Sequence, residues 1–204
     1  MKLAICIPAR DVVHSGFALS LANLTARLAK NSIDHFVLFN LGSVIANQRN
    51  YLVRDALEKG ASHLLWLDSD MHFPTNIVEK FLAHNKDIVA GTYSTRIKPQ
   101  RSVAFTNQYN LNERLTEKHG LHEVFAVGLG CMLVNAEVYQ TLPMPWFQYV
   151  WNTDTQDLSG EDIHFCKLAT DNGYKIYVDA DVSAKLAHFG TKAFILQETH
   201  EYNS

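Results

Sequence analysis

Two aspartates separated by one serine, Asp68-Ser69-Asp70, end the apolar run Leu64-Leu65-Trp66-Leu67, and Met71-His72-Phe73-Pro74 follows. Residues i and i+2 of an extended chain point the same way, so both carboxylates could face one divalent cation that shares its remaining positions with water and a substrate phosphate. Asp and Ser also cap helices and shape turns, a role equally open to these three residues. Adjacent acids recur at Glu161-Asp162, within the run Ser159 to Phe165. At a helix start such acids are stabilised by the helix dipole and free N–H groups, and one that faces a pocket can act as a general base as well as a cap. His188, just before Phe189-Gly190, would supply an imidazole nitrogen to the same cation if the fold returns it to the aspartates. A histidine is more often a surface or satisfied core residue. Val127-Gly128-Leu129-Gly130-Cys131 carries two glycines into an apolar strand. It lacks the third glycine and the following helix of a dinucleotide fingerprint, so it reads as a tight bend or as bare backbone passing close to a ligand.

These residues need elements to hold them. Strand and helix patterns alternate over the first ninety residues, which predicts parallel strands joined by crossover helices. Strands are expected at Lys2 to Pro8, His35 to Asn40, His63 to Leu67 and Asp87 to Gly91. Helices are expected from Ser15, with Phe17, Leu21, Leu24 and Leu28 on one side, from Val44 to Lys59 ahead of Gly60, and from Pro74-Thr75 to His84. Asp68 then stands at the carboxyl end of a strand, where open α/β sheets bind ligands. After Gly91 the rhythm changes to short strand candidates in Ser102 to Tyr109, His122 to Gly128 and Cys131 to Asn135, so the sheet is expected to become mixed. A late helix spans Glu161 to Asn172, a strand Tyr174 to Asp179, and the residues beyond His188 read as a mobile or docking tail.

Composition excludes several classes. With 204 residues and 47% hydrophobic content, the chain can bury one substantial core. Eighteen Lys and Arg against twenty-one Asp and Glu give a net charge of -3, so no global basic field draws it to nucleic acid or membranes. The apolar stretch in MKLAICIPARD is too short for a signal-peptide core, and no run approaches a membrane span. Cys6, Cys131 and Cys166 are dispersed, which fits a reducing, cytoplasmic setting.

The ordered set of a strand-one Ile-Pro, an Asn-Gln-Arg-Asn helix, LLWLDSDM, VGLGCMLV, GED and HFG resembles the GT-A glycosyltransferases, particularly small family 2-like sugar transferases, from about Lys2 to Gly190. The resemblance implies a single α/β domain of GT-A (Rossmann-like) fold, with a central mixed, mostly parallel sheet flanked by helices. Residues 1–190 would form that domain, nucleotide-binding to about 91 and acceptor-binding and catalytic from 92, with 191–204 as a C-terminal tail. It implies that Pro8, Ala9 and Arg10 line the nucleotide pocket, that Asn47 and Arg49 contact the nucleotide or its phosphates, and that Ser69 belongs to the donor site within a DXD motif. Asp68 would approach the ribose or the metal, Asp70 would be the principal ligand of Mn²⁺ or Mg²⁺, and His188 the second. Asp162 would be the catalytic base of an inverting transfer, with Glu161 as its neighbour and fallback, while Gly128 and Gly130 leave room for the sugar.

Many members end strand two with an acid that reads the base, whereas this chain has Asn40, which offers a donor as well as an acceptor, so a UDP-sugar is the default donor. The acceptor hydroxyl would lie on a glycan, a nucleic acid base or a small molecule. Arg96, Lys98 and Arg101 form a basic loop suited to a phosphate-bearing acceptor, or simply to solvent. Trp146, Phe147 and Trp151 are candidates for stacking on a sugar, against a core-packing alternative. Two other readings use the same parts: a nucleotidyltransferase, which would want a glycine-rich basic signature after strand one, and a noncatalytic nucleotide- or carbohydrate-binding module, which would need no base.

Overall fold

The computed structural model describes residues 1–153 and 156–190, apart from the side chain of Asn152. Its first half alternates as the sequence pattern predicts: β1 Lys2–Ala9, α1 Ser15–Lys30, β2 Asp34–Leu41, α2 Ile45–Glu58 and β3 His63–Leu67. A short β4, Met71–His72, precedes α3 Ile77–Ala83 and β5 Ile88–Ala90. The second half consists of β6 Ala104–Phe105, β7 Leu121–Val124, β8 Ala126–Val127, β9 Cys131–Asn135 and α4 Ala136–Thr141, followed by a hairpin of β10 Val150–Asn152 and β11 Asp157–Ser159. Then come α5 Glu161–Asp171, β12 Ile176–Asp179, α6 Ala180–Ser183 and β13 Ala187–His188.

Seven strands form the central sheet in the order β2-β1-β3-β9-β5-β12-β7. The pairs of β1 with β2, β1 with β3 and β5 with β12 are parallel, while β9 and β7 run against their neighbours. Five strands therefore share one direction, giving a mixed, mostly parallel sheet. The segment from Ser102 to Tyr109 contributes only Ala104–Phe105, and the expected strand through 122–128 breaks at Phe125 into β7 and β8. At that break the Phe125 N–H turns away to donate to the Phe105 carbonyl at 2.9 Å.

Period-two alternation divides the core in two. Leu3, Ile5, Ile7, Leu65 and Leu67 face Phe17, Leu24 and Leu28 of α1 and Ile77, Val78 and Phe81 of α3. Ala4, Cys6, Leu64 and Trp66 face Leu52, Val53 and Ala56 of α2 and Phe165, Cys166 and Ala169 of α5. Because both faces are covered, β1 and β3 are near-continuous apolar runs. The even parity of Trp66 continues into Asp68, which delivers that carboxylate to the face shared by α2 and α5. Trp146 and Phe147 are buried beside Trp66, Tyr139 and Phe165, so they are core residues, whereas Trp151 on the hairpin is exposed. Cys6, Cys131 and Cys166 are free and buried. Among the described residues no helix is long and apolar enough to cross a membrane. Residues 191–204 lie outside the described chain, and with them most of the expected tail.

Candidate active site

A pocket of about 330 Å³ opens at the carboxyl edge of the sheet. The end of β1 contributes Pro8, Ala9 and Arg10, the β2–α2 connection contributes Gly42 and Ser43, and the start of α2 contributes Gln48. Asp68, Ser69 and Asp70 follow β3 on the other side of β1, and Arg96 and His188 complete the lining. Gln48 is buried, and its amide donates to the carbonyls of Ala9 at 2.6 Å and Asn40 at 2.8 Å, which ties the ends of β1 and β2 together. Asn40, Asn47, Arg49, Gly128, Gly130, Glu161 and Asp162 are not among the pocket walls; Asn40 meets Gln48 through its backbone, and Asn47 is exposed.

The two aspartates diverge. The chain turns at Ser69-Asp70, with Met71 N–H donating to the Asp68 carbonyl at 3.1 Å, so the extended geometry expected from their spacing ends at Asp68. Asp68 Oδ1 accepts from Arg49 at 3.0 Å. Arg49 is 2% exposed, packs against the adjoining rings of Trp66 and Phe147, and also approaches Glu161 at 3.3 Å. Burial pushes the Asp68 carboxyl above its usual range; the Arg49 charge opposes that, and Asp70 and Asp162 add to it. The Glu161 carboxyl is raised in the same way by burial, opposed by Arg49 and reinforced by Asp162.

Asp70 faces the other way, towards His188. The short strand β13 pairs antiparallel with β4, placing His188 beside Met71, and Phe189 N–H donates to the Asp70 carbonyl at 2.8 Å. That pairing carries His188 across the chain to within 3.5 Å of Asp70 Oδ1, measured from Nε2. His188 Nδ1 lies 3.2 Å from the Ser94 carbonyl. A carbonyl only accepts, so Nδ1 carries the proton and Nε2 offers its lone pair, the arrangement of a metal-ligating imidazole. Arg96 donates to Nε2 from Nε at 3.1 Å and pairs with Asp70. Burial alone would raise the Asp70 carboxyl, but the cationic surroundings that Arg96 supplies hold it below the usual range.

Carboxylate oxygen suits Mn²⁺ or Mg²⁺, an added imidazole nitrogen suits the transition metal Mn²⁺ better than Mg²⁺, and Asp70 and His188 stand close enough to reach one ion. Asp68 accepts from Arg49 through Oδ1 and lines the same pocket as that pair. Among the described residues no three His, Cys, Asp or Glu side chains cluster as a self-sufficient metal site. The fit is therefore to an ion completed by substrate oxygens and water.

Glu161 and Asp162 open α5, as expected, but their surroundings differ: Glu161 is buried on Arg49, while Asp162 is half-buried and accepts the Ile163 N–H through Oδ1 at 2.8 Å. The glycines answer to a residue that the sequence reading passed over. Tyr93 Oη accepts from Gly130 N–H at 3.0 Å, and the Tyr93 ring lies edge-on to His188 at 5.0 Å. A Cβ at Gly128 or Gly130 would sit 2.7 or 2.6 Å from that hydroxyl oxygen. Burial and the carboxylates of Asp68 and Asp162 push the phenol well above its usual range, so it remains protonated. Gly130→Ala should cost about 1–3 kcal/mol of stability by driving Tyr93 into His188. Urea unfolding that matched the wild type would show that the ring yields freely.

Comparisons with known proteins bear on the fold. The Anp1 family model matches residues 42–124. No curated protein matches the chain. Among solved structures, A197 from STIV superposes with a TM-score of 0.60 at 20% identity, covering 96% of this chain and 98% of its own. A Drosophila β-1,4-galactosyltransferase 7 mutant in complex with manganese, UDP-Gal and xylobiose superposes with a TM-score of 0.53 at 15% identity, covering 97% of this chain and 78% of its own. The sheet order and these two superpositions over nearly the whole chain identify it as a protein of the GT-A fold.

Proposed function

We propose that this chain is a glycosyltransferase that moves a sugar from a nucleotide-diphosphate sugar to an acceptor hydroxyl. The observation that supports it most is the convergence, at the carboxyl edge of a GT-A sheet, of the β1 end, Asp68-Ser69-Asp70 and His188 around one pocket. Both the Anp1 match and the manganese- and UDP-Gal-bound galactosyltransferase favour this class, and the latter makes a UDP-sugar the default donor.

In this reading Pro8 and Ala9, with Gly42 and Ser43, receive the nucleoside, and Arg10 lies where the diphosphate would pass. Asp70 and His188 would hold Mn²⁺ or Mg²⁺, which when bound neutralises charge on the leaving diphosphate. Arg49 fixes Asp68 from below, a supporting role rather than a direct contact with the nucleotide. Asp162 takes the proton of the acceptor hydroxyl as that oxygen attacks the anomeric carbon and the nucleoside diphosphate departs with the bonding electrons. One displacement of this kind inverts the carbon. Glu161 is committed to Arg49, which favours Asp162 as the base. The exposed Trp151, on the hairpin that feeds α5 through Gly160, offers an aromatic face to a sugar acceptor.

Product analysis tests the reaction class. With Mn²⁺ and a panel of nucleotide sugars, the released product should be a nucleoside diphosphate. Pyrophosphate release from a nucleoside triphosphate would instead make the chain a nucleotidyltransferase.

A further inference from the structure

Arg96 is the residue in the pocket whose contacts the proposed reaction does not use. It lies in the stretch between β5 and β6, its side chain is 48% exposed, and it nevertheless reaches back to the two side chains read as cation ligands. Its Nη2 pairs with Asp70 Oδ2 and lies 2.6 Å from His188 Nε2, while its Nε donates to the same nitrogen at 3.1 Å. The path of the side chain is shaped as well: a Cβ at Gly190 would lie 3.0 Å from Arg96 Cδ, so the bare backbone there lets the stem pass. On the far side of the ring, Ser94, two residues earlier, holds His188 Nδ1.

We propose that Arg96 is an internal cation for the Asp70–His188 pair, so that its guanidinium and a divalent metal ion are mutually exclusive occupants of these two side chains. This rests on the reading of Asp70 and His188 as cation ligands. The exclusion follows from valence. A neutral imidazole whose Nδ1 carries the proton has one lone pair, on Nε2, and that pair either accepts an Arg96 N–H or binds a metal. Charge acts in the same direction. Asp70 supplies one negative charge to the pair, which the guanidinium already balances, and a second cation brought alongside it would be repelled. Arg96 thus keeps the pair ordered before the ion arrives and lowers the ion's apparent affinity.

Mn²⁺ titration followed by electron paramagnetic resonance tests this on the whole chain, without nucleotide or acceptor. Arg96→Gln removes the competing charge at an exposed position and should bind Mn²⁺ about tenfold more tightly than the wild type, the equivalent of losing one charge-assisted hydrogen bond from the competing state. Arg96→Lys keeps a charge but loses the planar fork, and should fall between the two. Equal Mn²⁺ affinity in wild type and Arg96→Gln, or weaker binding by Arg96→Gln, overturns the proposal. So does the absence of Mn²⁺ binding in both, and nucleotide-sugar binding measured on the same samples in chelator then shows whether the transferase reading stands without it.

Discussion

Arg49→Leu is expected to lower the free energy of unfolding by about 3–5 kcal/mol, the range for breaking a buried ion pair from one side. The guanidinium is enclosed by Trp66 and Phe147 and faces both Asp68 and Glu161. Leucine would fill much of the volume and leave two partly buried carboxylates without a counter-charge. Among the described residues Nε and Nη1 of Arg49 have no hydrogen-bond partner, and the 3.3 Å approach to Glu161 is not aligned as one, so charge rather than geometry carries that contact.

The loss should depend on pH with a definite sign. Burial raises the Asp68 and Glu161 carboxyls and Arg49 opposes it in both, so without Arg49 they rise further. A carboxyl whose folded pKa lies above its unfolded value binds its proton more readily in the folded state, so stability increases as pH falls through the folded pKa. The deficit of Arg49→Leu should therefore be greatest at neutral pH and shrink on acidification. Urea unfolding at several pH values checks this, and a deficit independent of pH would mean that the two carboxylates are not left uncompensated.

Asp162→Asn is expected to reduce transfer by about 10²–10⁴-fold, the usual contribution of a positioned general base, while leaving donor affinity unchanged. Asparagine keeps the size and can still accept the Ile163 N–H through its side-chain oxygen, so the start of α5 should be preserved. The amide cannot take up the acceptor proton. Rates and donor affinities of the purified variant separate the two effects, and transfer at the wild-type rate would remove Asp162 from the role of base.

The sequence was most informative where periodicity is strong. Leu3, Ile5 and Ile7 alternate with Ala4 and Cys6, and each set meets its own helices, so β1, β3, α1 and α2 follow from pattern alone. The resemblance implies a nucleotide contact for Arg49, while its position in the sequence, with 49, 52, 53 and 56 on one stripe of α2, is the spacing of a buried face. The pairing of β4 with β13 was not legible, because two-residue strands carry no period. That pairing nonetheless takes His188 to Asp70. Gly128 and Gly130 were legible as close approaches, but the group approaching them is Tyr93, far away in sequence and fixed only by the tertiary fold. The turn at Ser69-Asp70 likewise gives the two carboxylates different partners, Arg49 for Asp68 and Arg96 for Asp70, within one pocket.

The central claim is that the pocket beside Asp70 binds a nucleotide-diphosphate sugar with a divalent cation. Its most direct test is the melting temperature of wild type and Asp70→Ala across a panel of nucleotide sugars, with and without Mn²⁺. A ligand at a hundred times its dissociation constant adds about 2.7 kcal/mol to the folded state, or roughly 5–10 °C for a chain of this size. The prediction is a Mn²⁺-dependent rise of that order with at least one donor for the wild type, and none for Asp70→Ala. No rise with any donor, or an equal rise in both proteins, would contradict it.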